Sequence, residues 1–435
     1  MCTEEKVEKH SVNKNGDSCC PRILLRSFYP LDLSPHPCNN DSTMVNPLVF
    51  VFGTTEFQTL SDPLWTYQAR TFMDASVDKS TSLLTSPWRN LHSSVRIVAP
   101  SKWSANGFAA AGVKSSQLFI LPHGIDPVIF HPLASGPAGL IDSRRERLAL
   151  RSTLRWTPPI NANTSFSEDC FTILSVGHMR FTKGLDVLLR GVLSAASELT
   201  SKRNHQWPKC FRLVLKGLDG LYGSSETIKR SLDSILMPSV EDSHQDEGMM
   251  ITGTKLFAKL SKMGFIQLRI IGKLMAPSEL VKLYQASDAY ASPYRAEGFN
   301  IPVLEAAACG LPLLVTTGGS TDEFTHPSFA LYIKSEEVIG GKEQGMQGRS
   351  HHMEPDPSHL ATLILTLASQ SEGLSDKAIN RTDFDTSIRE FTNVLSLPPQ
   401  WRANAGINAA NYVIQSNLTW EGVALRLQRF ANPFN

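Results

Sequence analysis

Two glutamates with seven residues between them, Glu297 and Glu305, lie in the stretch 287–324, SDAYASPYRAEGFNIPVLEAAACGLPLLVTTGGSTDEF. A carboxylate is repelled by phosphate but accepts hydrogen bonds from hydroxyls, as acidic residues do with the ribose diol in dinucleotide folds. The stretch reads as strand, polar loop, short helix, tight stop, strand and glycine pair. Asn300 is expected to cap the helix, Pro302 sits where a missing N–H costs nothing, VLEAAAC favours helix, and Gly310 with Pro312 stops it. Glu305 then falls near the first turn. The helix end, reached through Glu297, Gly298, Phe299 and Asn300, presents backbone N–H groups and the positive end of the helix dipole, which suit a diphosphate. An isolated pair of glutamates is ordinarily solvated surface. Two carboxylates flanking an anion site point to a sugar nucleotide.

A second anion-binding unit is predicted upstream. FTILSVG, residues 171–177, is a continuous apolar run closed by Gly177, and it leads through HMRFTKG into an amphipathic helix, LDVLLRGVLSAASEL. Strand, glycine, basic loop and helix form a phosphate-binding βα unit, with Lys183, Arg180 and His178 as its cations. Either Arg180 reaches the first phosphate, or His178 does and makes binding sensitive to pH, because only the imidazolium carries charge. Lys183 taken out of that context reads as a solvated surface lysine.

Other elements must position these groups. Buried strands are expected at 47–53, 94–99 and 117–121, with a short one at 23–26 inside a polar, largely disordered tail over residues 1–45. Glu56 follows the strand PLVFVFG, at the end where open α/β sheets bind ligands. A helix opens at Ser101 and ends near Gly112. His123, in PHGIDPVIFHP, serves in either reading, a turn residue bonded to backbone or a catalytic group. Residues 134–169 read as a linker whose charged helical piece, SRRERLALRSTLRW, presents a solvated face. Further strands are expected at 211–217 and 267–272, separated by an insertion over 218–265 with two helical pieces. The insertion's loop VEDSHQDEG lacks paired ligand spacing, so it reads as disordered surface rather than a metal site. Helices follow near 357–369, 384–395 and 401–415.

The run EGFNIPVLEAAACGLPLL followed by GGSTDEF resembles the donor-binding motif of retaining GT-B glycosyltransferases of family four, usually close to E-G-F-G-x-P-x-x-E-A-x-A-x-G-x-P-V before a Gly-Gly pair. Asn300 stands in place of the second glycine. PHGID resembles the P-N-G-V-D segment closing the family's first lobe, with His123 at the Asn position, and LTWEGVALRLQRF resembles its closing helix. The resemblance implies an α/β GT-B fold of two Rossmann-like lobes. These are an abbreviated acceptor-side lobe at 46–133 and a nucleotide-sugar lobe at 170–415, with a C-terminal helix at 416–435 packing back on the first lobe through a buried Trp420. It also implies transfer of a sugar from a nucleotide-sugar donor to an acceptor hydroxyl with retention. Glu297, Lys183 and Arg180 would carry the catalysis. Gly177, His178, Lys273, Leu274, Gly298, Phe299, Asn300 and Glu305 would hold the donor, Lys273 and Leu274 contacting the base through their backbone. Glu56 and His123 are acceptor-side candidates. No metal and no cofactor beyond the donor is implied. Only about three strands and no early Gly-rich loop precede the linker, so the alternatives are a catalytically silent sugar-nucleotide-binding or partner-binding protein and, on the same fold, an epimerase or phosphorylase.

Composition sets outer bounds. The chain has 435 residues, enough for two domains at roughly 150 residues each. Its net charge of +1 argues against a dedicated nucleic-acid surface. The polar N-terminus lacks a signal peptide's apolar core, and no apolar run approaches the roughly 20 residues of a membrane span. The seven cysteines show no metal-ligand spacing and are expected reduced, in a cytoplasmic setting. The acceptor, whether glycan, lipid or protein, is left open, as is peripheral contact with a membrane.

Overall fold

The computed structural model describes residues 23–26, 48–56, 91–133, 139–156, 170–201, 208–238, 250–339, 351–369, 397 and 401–431. The loop at 240–248 and the helix expected at 384–395 fall outside these residues. The chain divides into two compact units, one formed by Met1–Pro122 with Ile339–His351 and Ala424–Asn435, the other by His123–Val338 with His352–Val423.

The first unit holds a parallel sheet of β1 (Ile23–Arg26), β2 (Leu48–Phe52), β3 (Val95–Ala99) and β4 (Leu118–Ile120), in that spatial order. Continuous apolar strands of this kind belong to parallel sheets covered on both faces, and Val49, Val51, Val95, Ile97 and Phe108 form the core. Helix α1 (Lys102–Ala111) starts at Ser101, whose hydroxyl accepts from Ser104 N–H at 3.0 Å, and stops at Gly112 in the left-handed region.

The second unit is a parallel sheet in the order β12-β11-β10-β5-β6-β9. Its strands are β5 (Phe171–Val176), β6 (Phe211–Lys216), β9 (Ile266–Ile271), β10 (Ala289–Ser292), β11 (Leu313–Thr316) and β12 (Ala330–Ile333). Between β6 and β9 come the helical turn Asp219–Tyr222, helix α4 (Ser224–Ser234) and helix α5 (Gly253–Lys262). The small antiparallel pair β7 (Leu236–Pro238) and β8 (Met250–Thr252) joins those two helices, so the insertion carries a strand pair that sequence periodicity did not predict. A further two-stranded sheet pairs β13 (Ser335–Ile339) with β14 (His351–Pro355). The other helices are α2 (Gly139–Thr153), α3 (Leu185–Ser201), α6 (Pro277–Gln285), α7 (Ile301–Ala308), α8 (Pro357–Ser369), α9 (Trp401–Gln415) and α10 (Trp420–Ala431). The strand order reverses between β5 and β10, the doubly wound arrangement whose ligand crevice opens at the carboxyl ends of those two strands.

Three expectations are corrected. The basic face of α2 is not simply solvated: Arg151, 4% exposed, and Arg147 reach Asp288 at 2.7 and 3.1 Å, and Arg402 of α9 joins them at 3.2 Å. Burial raises the Asp288 pKa, but the three guanidiniums and the Thr172 N–H hold it well below the usual carboxylate range. Cys170 and Cys210 are joined as a disulfide, because β5 and β6 start in register at Phe171 and Phe211 and set the preceding residues side by side. The argument from reduced cysteines to a cytosol-like compartment therefore loses its footing. Trp420 is 52% exposed rather than an anchor, and the aromatic of α10 that packs in the first unit is Phe430, edge-on to Phe119 at 5.4 Å.

Replacing Asp288 by Asn removes the carboxylate shared by the three arginines at the amino ends of β5 and β10. The substitution is expected to lower unfolding free energy by about 3–5 kcal/mol in urea titration. A change under about 1 kcal/mol would rule out this role.

Candidate functional site

The site is built from two loops leaving the switch-point strands. After β5 the chain passes Gly177, whose N–H donates to the Lys216 carbonyl at 3.0 Å, and His178. The buried Met179 then pins the loop before the single turn Phe181–Lys183. Gly184 ends that turn in the left-handed region, and a side chain there would collide with the Pro293 carbonyl. After β10 the loop runs through Tyr294, Arg295 and Glu297 to α7. Lys183 and Glu297, predicted separately as a phosphate cation and a sugar-hydroxyl acceptor, form a direct ion pair.

Arg295 holds the two loops together and was not singled out in the sequence. Its guanidinium, 4% exposed, donates to both carboxylate oxygens of Asp186 at 2.6 and 2.9 Å and to both of Glu354 at 2.6 Å. A further bond goes to the Phe181 carbonyl at 3.1 Å, and the guanidinium lies 3.8 Å over the Phe181 ring. Burial lowers the arginine's pKa, but the bonds to Asp186 and Glu354 outweigh it and raise it above its ordinary value. The backbone N–H groups of Arg295 and Ala296 both donate to the Thr182 carbonyl, at 2.7 and 3.1 Å. The arginine stands in SPYRAEGF, inside the stretch singled out by its glutamates, but no spacing linked it to Asp186 or to Glu354.

The start of α7 differs from the expected cap. Asn300 has φ 76° and its side chain donates to Ser292 Oγ at 3.0 Å rather than to the helix. The left-handed conformation explains why glycine is the usual residue at this point of the motif, and asparagine is among the few others that enter it readily. Val303 N–H is taken by the Asn300 carbonyl at 3.0 Å, and Pro302 has none, so the helix end has fewer N–H groups to offer an anion than predicted. Gly310 stops the helix as expected, with φ 75°. Glu305 is the fifth residue of α7, and Tyr284 of α6 donates to its Oε2 at 2.6 Å.

The remaining candidates are placed as follows. Phe299 is buried, stacked on Phe324 at 4.6 Å, with the His123 ring edge-on at 5.2 Å; burial lowers the His123 pKa. Gly298 is buried in the same loop. His178 and Arg180 both face the Tyr222 ring, at 5.2 and 5.0 Å. Lys273 and Leu274 follow β9; Leu274 is 80% exposed, and Lys273 lies 3.7 Å from Glu279. Glu56 belongs to the other unit, at the carboxyl end of β2, where its carbonyl accepts from Trp103 Nε1 at 2.7 Å. Lys216, at the end of β6, was missed: it is buried, its ammonium donates to the Gly217 carbonyl, and burial lowers its pKa. Its only signal in the sequence is a lysine closing the mainly apolar strand FRLVLK. Among the described residues no cluster of three or more His, Cys, Asp or Glu is placed to hold a metal ion, and no helix is long and apolar enough to cross a membrane.

The fold is α/β with parallel, Rossmann-like sheets, of the GT-B class. Residues 227–338, which include the loop after β10 and all of α7, match the family of glycosyl transferases group 1. The D-inositol 3-phosphate glycosyltransferase of Acidothermus cellulolyticus is 26% identical over 211 residues, 48% of this chain and 35% of that protein, so the match spans about a third of the relative's length. Among solved structures, the N-terminal domain of Candida albicans trehalose-6-phosphate phosphatase superposes with a TM-score of 0.53 at 11% identity, covering 94% of this chain and 70% of that one. At that identity the likeness speaks to the fold alone.

Burial pushes the Glu305 carboxyl up to about 7, only partly offset by the Tyr284 bond. In the unfolded chain it titrates near ~4.3. Its contribution to stability is therefore complete below about pH 4 and lost as pH rises through about 7. Glu305→Gln is expected to match the parent at pH 4 and exceed it by about 3–4 kcal/mol at pH 8 in urea unfolding. A difference between the two proteins that stays constant over that range would contradict the assignment.

Proposed function

We propose that the chain is a glycosyltransferase that moves a sugar from a nucleotide-sugar donor to an acceptor hydroxyl, with retention at the anomeric carbon. The observation that carries this reading is the Lys183–Glu297 pair at the switch point of a doubly wound sheet, one partner on the basic loop after β5 and the other on the loop after β10. Family match and relative support the reaction class. The donor's identity rests on no more than the site's chemistry.

In this reading the diphosphate lies against the basic loop, where Lys183 and Arg180 are preorganised toward the charge that develops as it leaves. That loop supplies the positive charge a divalent cation would otherwise bring. Donor binding loosens the Lys183–Glu297 pair, turning the ammonium to phosphate and the carboxylate to sugar hydroxyls. Glu305, one turn into α7, accepts from the ribose. Gly177, Gly298, Phe299 and Asn300 shape the floor, and His178 adds a second phosphate contact. Lys273 and Leu274 meet the base through their backbone.

Bond making and breaking occur on one face of the sugar. The bond from the anomeric carbon to the diphosphate oxygen breaks with its electron pair leaving on the diphosphate. The acceptor oxygen forms its bond on the same side, and its proton passes to the departing oxygen. Glu56 and His123 are assigned to the acceptor.

Lys183→Ala is expected to weaken a nucleoside diphosphate at least tenfold and the corresponding nucleoside less than twofold, read by calorimetry. Equal losses would remove Lys183 from the phosphates. Glu297→Gln is expected to lower turnover by about 10²–10³ in a coupled assay of nucleoside diphosphate release, with the donor KM within a few-fold. A chain that binds nucleoside diphosphate but neither hydrolyses nor transfers any nucleotide sugar would be a silent binding protein. Turnover without an acceptor, or dependent on inorganic phosphate, would mark an epimerase or a phosphorylase.

A further inference from the structure

We infer that Tyr222 is a positioning residue of the donor site, holding the side chains of His178 and Arg180 over the place where the diphosphate sits. The inference rests on the nucleotide-sugar reading and extends it to an element outside the loops after β5 and β10.

The turn Asp219–Tyr222 leaves the carboxyl end of β6, the strand between β5 and β9. It is therefore flanked by the basic loop on one side and by the Lys273 turn on the other. The turn is anchored at both ends. Asp219 N–H donates to the Gly272 carbonyl at 2.8 Å, and its carboxylate accepts from Ser225 N–H and Oγ, both at 2.7 Å. Leu218 N–H donates to Ser224 Oγ at 3.1 Å, and Gly223 closes the turn with φ 55°. The ring carried at the end of this turn is thus held in place by backbone and serine bonds, not by burial, and Tyr222 remains 40% exposed.

Against that ring lie two groups from the neighbouring loop. The His178 imidazole is 5.2 Å away, tilted at 53°, and the Arg180 guanidinium carbon is 5.0 Å from the ring centre. Residues two apart on a loop have no reason of their own to share a neighbour. Met179, buried between them in the core, fixes the backbone that carries both, and the aromatic face attracts the cation through its quadrupole. A long, exposed Arg180 side chain loses conformational freedom when it binds phosphate. A ring that already restricts it reduces that loss, so preorganisation appears as affinity. The effect belongs to the charged part of the ligand alone.

The test uses the full chain with inorganic pyrophosphate, and with UDP, GDP and ADP and their nucleosides, titrated by calorimetry. Tyr222→Ala is expected to weaken pyrophosphate and the bound nucleoside diphosphate about fivefold to tenfold, leave the nucleoside within twofold and leave Tm unchanged, while Tyr222→Phe binds like the parent. Parent-like binding by Tyr222→Ala overturns the inference, and so does a Phe variant as weak as the Ala variant. A loss of equal size for the nucleoside overturns it too, and makes Tyr222 a base-stacking residue. If the parent binds pyrophosphate or a diphosphate while Tyr222→Ala is unaffected, the inference fails and the donor reading stands. If the parent binds none of the probes, both fail.

Discussion

The Arg295 guanidinium is the interaction on which the site depends. Its bonds to the Phe181 carbonyl, Asp186 and Glu354 tie the basic loop and the adjoining start of α3 to strand β14, which lies far along the chain. Charge-assisted, bidentate bonds fix direction as well as distance. With the loop after β10 held in this way, Lys183 and Glu297 meet, although they come from different strands of the sheet. The arginine's own burial is unfavourable, and only the two carboxylates make it tolerable. A structural ion pair thus sets the geometry of a chemical one.

At the other end of the same sheet, Asp288 gathers arginines from α2 and α9 and receives the Thr172 N–H. Asp288 immediately precedes β10, and Thr172 lies in β5, the two strands at the switch point. The two strands at the switch point are therefore tied by a buried charge cluster at their amino ends and by the Arg295 cluster in the loops that leave their carboxyl ends. The fully buried Arg212 at the start of β6 adds a bond to Thr172 Oγ1 at 3.0 Å. Polar groups in so apolar a sheet are expensive unless they are satisfied, which makes register between these strands specific as well as stable.

Much of this was legible in the chain. Apolar runs closed by glycine at Gly177, Gly217 and Gly272 marked the strands, because a parallel sheet covered on both faces admits little else. The stop at Gly310 and the basic loop before α3 could also be read, since both follow from local backbone chemistry. Less legible were the roles of individual polar side chains. Asn300 was read as a cap from its type, yet its φ of 76° turns its amide to Ser292. The arginines of α2 looked like a solvated face because nothing in the helix itself announces a partner more than a hundred residues away.

Taken alone, the sequence determined the elements: buried apolar strands, a basic loop ending in glycine, and a short helix carrying Glu305. These depend on propensity, periodicity and backbone freedom, which act over a few residues. The tertiary structure decided the pairings: Lys183 with Glu297, Arg295 with Asp186 and Glu354, Tyr284 with Glu305, and Cys170 with Cys210. It also decided how Glu305, Asp288 and Lys216 titrate, since their shifts come from burial and from neighbours supplied by other strands and helices. Residue type names the donors and acceptors a chain owns; only packing brings two of them within about 3 Å of each other and away from water.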